Sequence, residues 1–167
     1  MSQQFDFYNG GGLDVAFLGF AEVNEKGDIN VSSFGGRFAG CGGFIDISQA
    51  TKTIFFVGTL TTGGLEEHVE DGKLVIDKEG SRMKFIDALP QRTFNGTYAL
   101  KHGHKITFIT DRCVMKLTDE GFLITEVAPG VDIEKDIMAH MAFRPKVAAD
   151  VKEMDPRIFA PEKMHLA

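Results

Sequence analysis

The sequence of 167 residues predicts an α/β fold, an open central sheet with flanking helices and antiparallel β-hairpins, and three observations carry that expectation. "LDVAFLGFAEV" (residues 13–23) and "TIFFVGTL" (residues 53–60) are apolar, β-biased runs of the kind that sheets bury on both faces. From Gly63 onward the pattern changes to alternating segments punctuated by hairpin signals at Asp71-Gly72 and Asp119-Glu120-Gly121. A glycine-rich stretch ahead of residue 45 leads into a short helical segment.

Taken in order, Gly10-Gly11-Gly12 opens the first run, which carries only Asp14 and Glu22 as charges and reads as a central strand. Lys26-Gly27-Asp28 is a turn entering a short strand, and a brief helix is expected over 45–51. The run at 53–60 is the second central strand. Asp71-Gly72 suits a type I′ turn, whose two central residues need φ > 0. Residues 105–110, 113–118 and 122–127 read as three further strands, with Gly130 ending the sheet. Asp132 is placed to cap a helix of about three turns with Ile133, Ile137 and Met141 on one face. The tail from about 145 carries three prolines and is expected to run extended over the surface, leaving one domain over 1–167.

Composition narrows the function classes. Eighteen Lys+Arg against 24 Asp+Glu, net −6, offers no broad basic surface for a nucleic-acid backbone. No window approaches ~20 consecutive apolar residues, and the amino terminus has neither a basic nor an apolar leader, so a soluble, cytoplasmic protein without a membrane partner is expected. Cys41 and Cys113 are expected to be reduced thiols, and no Cys/His cluster has zinc spacing. His102-Gly103-His104, between Lys101 and Lys105, reads as a solvated turn rather than a ligand pair. No metal is expected.

The stretch "GRFAGCGGFIDIS" (residues 36–48) raises the question of function. It is not a P-loop, because Phe44 stands where that motif needs Lys and a hydroxyl. It is not a dinucleotide fingerprint, because Ile45 stands where a third small residue belongs. A nucleophilic Cys41 would need a base, and no His is near in sequence. Glycines at 40, 42 and 43 permit φ > 0, so their N–H groups could converge ahead of the helix as a nest for an oxyanion. A purely steric turn accounts for the same residues. Arg37 is compatible with a CoA phosphate contact or with an ordinary surface position.

Together, "FDFYNGGGLDVAFLGFAEV", "KGDINVS", "GGRFAGCGGFIDISQ", "FVGTLTTGGLE", "GTYAL", "ITEVAPGVDIEKDI" and "MDPRIF" resemble the carboxy-terminal part of the family I CoA-transferases, over about residues 5–159. Acetate- or propionate-type enzymes acting on short-chain acyl groups are the nearest in pattern. The resemblance implies a CoA-transferase-type (NagB/RpiA-like) domain. It also implies a ping-pong reaction through an enzyme glutamyl-CoA thioester, with coenzyme A thioester as substrate, a short-chain carboxylate as acceptor and no cofactor. By the same resemblance the backbone oxyanion donors map to Gly43 and Phe44, with Gly40, Gly42, Gly43 and Phe44 lining the CoA and substrate site and Cys41 a bystander. The family's nucleophile lies in a Glu-Ser-Gly or Ser-Glu-Asn-Gly motif ahead of the "FDFYNGGG" segment. That motif is not found here, and Glu66, Glu67 and Glu79 read as solvated hairpin charges. The expectation is therefore a distal portion, inactive alone, that oligomerises or pairs with a chain or segment carrying the amino-terminal half and the catalytic Glu. The alternative is an inactive split or truncated remnant with a binding or structural role.

Overall fold

A computed structural model describes residues 2–166. The chain builds helix α1 (Ser2–Asn9), strand β1 (Val15–Gly19), helix α2 (Phe44–Ala50), strand β2 (Thr53–Val57), a hairpin of β3 (Glu66–Glu70) and β4 (Lys73–Lys78), and helix α3 (Gly96–Lys101). Strands β5 (Lys105–Ile109), β6 (Cys113–Thr118), β7 (Gly121–Val127) and β8 (Lys146–Glu153) follow. Two-residue ribbons at Glu22–Val23 with Ile29–Asn30, Ser33–Phe34 with Arg37–Phe38, and Thr61–Thr62 with Arg82–Met83 fill the connections.

Six strands form one mixed sheet in the order β1-β2-β5-β6-β7-β8. β1, β2 and β5 are parallel, with Phe17 opposite Phe55 and Phe55 opposite Thr107. β5, β6 and β7 are an antiparallel meander, and β8 lies parallel to β7. This is the α/β class expected from the sequence. The period-2 alternation of strands sends Ile54, Phe56, Ile106, Phe108, Met115, Phe122 and Ile124 to one face, all buried. Phe56 sits at the middle of an aromatic cluster there, with ring centroids 5.9 Å from Phe44, 5.2 Å from Phe94 and 5.1 Å from Phe108. At about 25 cal/mol per Å² such burial is the main stabilising term of the fold.

The Asp71-Gly72 turn has φ of 49° and 74°, as a type I′ hairpin requires. Four expectations differ. The run at 13–23 is not buried on both faces: β1 is an edge strand, and Phe17 is 68% exposed, because only one side of the sheet is covered here by this chain. Gly130 does not end the sheet, and the tail is not merely draped over the surface. The free edge of β7 offers unpaired backbone groups, and β8 takes them, after which Met154 and Phe159 bury beside Leu74 and Ala128. Asp132 does cap its segment, its side chain accepting from the Lys135 amide, but a π-type turn (Ile133–Ile137) and a 3-10 turn (Met138–His140) replace the α-helix. The Asp136 carbonyl, which an α-helix would give to residue 140, accepts instead from Arg112 Nη1 at 2.6 Å. Finally, α1 is a helix that the sequence does not announce: it buries no residue, so no apolar periodicity marks it.

Candidate functional site

Parallel strands bind ligands at their carboxyl ends, and in this sheet β1, β2 and β5 finish at Gly19, Val57 and Ile109. α2 ends three residues before β2 begins, so its amino terminus, with residues 40–44, is carried back toward that end. Phe44 anchors the turn by stacking on Phe56.

The glycine stretch is two turns in succession. Gly35 and Gly36, with φ of 60° and 74°, close the tight ribbon that displays Arg37 and an 83% exposed Phe38. Gly40 and Gly42 follow with φ of 78° and 53°, and a Cβ at either would meet open space, so backbone rather than side chain faces outward there. Gly43 differs from the sequence expectation: its φ is −87°, it is the N-cap of α2, and a Cβ there would make ordinary contacts at 3.6–3.7 Å with Ile47 and Phe5. The Phe44 amide is also not free, because it donates to the Cys41 carbonyl at 3.0 Å. The amides of Gly42 and Gly43 have no acceptor among the described residues. Cys41 is half-buried against the core, and Arg37 makes no ion pair among the described residues. The Cys113 thiol is buried and pushed up to about 12 by desolvation, which keeps it protonated.

A second polar constellation is centred on Arg112, which is fully buried just beyond the end of β5. Its guanidinium grips both oxygens of Glu79 at 2.8 Å and donates through Nε to Asp111 at 3.1 Å. Glu79 also accepts from Thr61 and from the Gly80 amide, and His140 Nε2 lies 3.2 Å away. Burial alone would raise the Glu79 carboxyl, but the hydrogen bonds from Arg112 and Thr61 and the Arg112 charge overcome it and bring it down to about 2. Glu67 goes the other way. Burial first, then the charge and hydrogen bond of Asp111, raise it to about 7, and its Oε2 has no partner among the described residues. Nearby Lys84 is buried with Nζ 4.0 Å over the Phe20 ring, in space that a Cβ at Gly58 would occupy at 2.6 Å. Burial lowers its pKa, partly opposed by Asp111.

Reading Glu67 and Glu79 as solvated hairpin charges is therefore incorrect. Glu66 does lie at the surface, paired with Lys78, but Glu79 meets Arg112 from 33 residues away, a pairing that no local pattern announces. The His102–His104 turn is also only half solvated. His102 is exposed, whereas His104 is buried, hydrogen-bonded to Lys52 Nζ at 3.3 Å through Nε2 and, among the described residues, without a partner at Nδ1. Burial, then the Lys52 charge, lowers its pKa. Among the described residues no three His, Cys, Asp or Glu side chains gather as metal ligands, and no helix is long and apolar enough to cross a membrane.

No family model matches the chain. The acetate CoA-transferase YdiF of Escherichia coli K12 is 50% identical over 159 residues, covering 95% of this chain and 30% of that enzyme. The crystal structure of the acyl-CoA transferase YdiF apoenzyme from Escherichia coli O157:H7 superposes with a TM-score of 0.95 at 49% identity, over 97% of this chain and 32% of that one. Nearly the whole of this chain is thus similar to about a third of a CoA-transferase. The caffeate CoA-transferase of Acetobacterium woodii is 45% identical over 93% of the chain and 30% of its own length, so one region serves CoA-transferases named for different acids. The same Escherichia coli protein is also known as a thioester complex with CoA, at a TM-score of 0.94 over 96% of this chain. One of the polypeptides of a 3-oxoadipate CoA-transferase from Pseudomonas knackmussii is 27% identical over 86% of this chain and 54% of its own length. The chain spans about a third of the length of the first curated relatives it matches.

Proposed function

We propose that the chain is the distal portion of a short-chain acyl-CoA:carboxylate CoA-transferase, supplying the backbone turn at residues 40–44 to a site whose nucleophilic glutamate comes from polypeptide outside these 167 residues. The observation that carries this reading is the TM-score of 0.95 to the Escherichia coli acyl-CoA transferase across nearly the whole chain. The thioester complex with CoA of that enzyme supports the reaction type.

In this reading a glutamate carboxylate attacks an acyl-CoA, the acyl group passes to the glutamate as an anhydride, and CoA leaves as thiolate. The thiolate then attacks the glutamyl carbonyl, releasing the carboxylate product and leaving a glutamyl-CoA thioester. An acceptor carboxylate reverses both steps. Each addition places negative charge on a carbonyl oxygen, and a backbone N–H donor aimed at that oxygen is worth about 10²–10³ in rate. Gly43 is the donor favoured by its free amide, with Gly42 beside it. Phe44 can join only by leaving the Cys41 carbonyl. Gly40 and Gly42 keep the approach to those amides clear of side chains.

The test is to incubate the purified chain with acetyl-CoA and propionate, alone and with the remaining portion of Escherichia coli YdiF as a second polypeptide. Intact mass spectrometry reads a CoA adduct and chromatography reads exchanged thioester. The expected result is no exchange by the chain alone and exchange by the pair, with the adduct on the added polypeptide. Exchange by the chain alone that persists in the Cys41→Ala, Cys113→Ala variant would overturn the proposal.

A further inference from the structure

A buried ammonium stands at the same end of the sheet as the turn at residues 40–44. Lys84 directly follows the Arg82–Met83 ribbon strand, and its backbone is fixed by Val23, whose amide donates to the Lys84 carbonyl at 2.8 Å and whose carbonyl accepts from the Ile86 amide at 2.9 Å. The side chain is 7% exposed, and its Nζ lies over the ring of Phe20, the residue after β1. Gly58, the residue after β2, provides the slot, since a Cβ there would stand 2.6 Å from Nζ. Phe20 packs edge-on against Phe108 at 5.5 Å, and Phe108 contacts the Phe56 ring on which Phe44 stacks. The ammonium and the turn therefore rest on one aromatic cluster.

An ammonium carries three N–H donors, and burying it without acceptors is costly. The groups around Lys84 account for its charge but not for those donors. Asp111 acts on it through charge alone. The Asp111 oxygens are already spent, Oδ1 on the Leu60 amide at 2.6 Å and Oδ2 on Arg112 Nε at 3.1 Å. Glu79 is held by Arg112 and Thr61. Among the described residues Nζ makes no hydrogen bond or ion pair, and the Phe20 ring offsets only part of the cost. The slot also lies where α/β sheets take their ligands, at the carboxyl ends of the parallel strands. From this geometry we infer that Lys84 is a carboxylate-binding residue of the transfer site, its Nζ receiving the carboxylate of the short-chain acceptor or of the nucleophilic glutamate. The inference rests on the proposed function for the presence of those two carboxylates. A single desolvated point charge suits a monoanion. A phosphate of CoA, with more charge and more acceptor oxygens, calls for several donors.

Two variants separate the ammonium from the fold. Lys84→Met keeps the length of the side chain and removes the charge. Because it replaces an unpaired buried cation with an apolar group, it is expected to raise the melting temperature of the chain. Gly58→Ala keeps the charge and moves Nζ out of its slot. Transfer from acetyl-CoA to propionate is measured in a single-chain chimera in which this chain replaces the matched region of Escherichia coli YdiF. Both variants are expected to lose about tenfold or more, the scale of one hydrogen bond to a charged group. Thermal unfolding of the 167-residue chain is then compared in sodium propionate and in sodium chloride at equal ionic strength. A raised KM for propionate, with a propionate-induced rise in melting temperature that Lys84→Met abolishes, assigns the acceptor carboxylate. A loss in kcat without those two effects assigns the nucleophile. Transfer by both variants within about twofold of the parent would overturn the inference. So would a Lys84→Met chain that melts well below the parent, because Lys84 would then be a structural cation balancing Asp111. If the parental chimera does not transfer, the proposed function falls and the propionate measurement on the chain alone decides the inference: a rise that depends on Lys84 upholds it, and an equal response in parent and variant overturns it.

Discussion

Strands β1 and β2 carry phenylalanines on both faces of one sheet, and the two sets meet opposite fates. On the inner face Phe56 is fully buried among Phe44, Phe94 and Phe108. One residue earlier Phe55 turns outward to stack on Phe17, which stands mostly in solvent. Residue type and strand propensity are the same, so the difference lies in what this chain supplies to cover each side. α2, the segment around Phe85 and the Ile133–His140 turns close the inner face, whereas only the tail and Leu74 of the β3–β4 hairpin reach the outer one, at its far end. A single aromatic residue exposed on a surface is ordinary; a stacked pair flanked by Val15 and Val57 on parallel strands marks a face built to be covered.

The sharpest way to break this comparison is Phe56→Ala. Removing a fully buried phenylalanine leaves a cavity in a closed aromatic cluster and is expected to cost about 3–5 kcal/mol, read from urea unfolding of the chain. A loss below about 1 kcal/mol would mean that the inner face collapses around the gap and is no better packed than the outer one.

The ends of the strands sit between these extremes, and pH probes them. Glu67 is raised to about 7, first by burial and then by Asp111, while an unfolded glutamate titrates near its ordinary value of about 4.3. Between those values the folded state binds more protons than the unfolded state, so stability falls as pH rises through that window. Glu79, held down to about 2, has the opposite sign, and its contribution is present above about 4.3 and lost as pH falls toward 2. The expected outcome is a melting temperature higher at pH 5.5 than at pH 8. Glu67→Gln should flatten that slope, because it leaves a neutral group at every pH. A slope unchanged in Glu67→Gln would place its origin elsewhere.

These same residues show what the sequence can and cannot reveal. The Asp71-Gly72 hairpin, the three-strand meander, the positive φ of Gly40 and Gly42 and the Asp132 cap are legible because each depends on a few consecutive residues. The form of the segment after Asp132 is not, because Arg112 takes the Asp136 carbonyl from 24 residues away. The segment of β8 reads, from the prolines of the tail it belongs to, as chain running over the surface, and only the free edge of β7 makes it a strand. At the candidate site, the glycines and their outward-facing backbone are visible in the sequence. That Gly43 has an ordinary φ while Phe44 spends its amide on Cys41 is a choice of turn geometry that composition does not encode. The partial burial of Glu67 and Glu79 escapes notice for the same reason as the Arg112 contact: it joins segments far apart in the chain.

The smallest effect is expected where the outer face is barest. Phe17→Ser removes the stacked partner of Phe55, an interaction worth about 0.5–1.5 kcal/mol when well packed, but Phe17 is mostly exposed already and leaves no cavity behind. Its cost in urea unfolding should therefore be at the low end, about 0.5 kcal/mol, with an unchanged dependence on urea concentration because the surface exposed on unfolding hardly changes. Loss of the apolar ring should also make the isolated chain more soluble, since the patch it heads shrinks. The informative quantity is the ratio to Phe56→Ala, two phenylalanines on adjacent strands differing by several kcal/mol. If Phe17→Ser costs as much as Phe56→Ala, the outer face is already closed in the isolated chain, by self-association or by the tail.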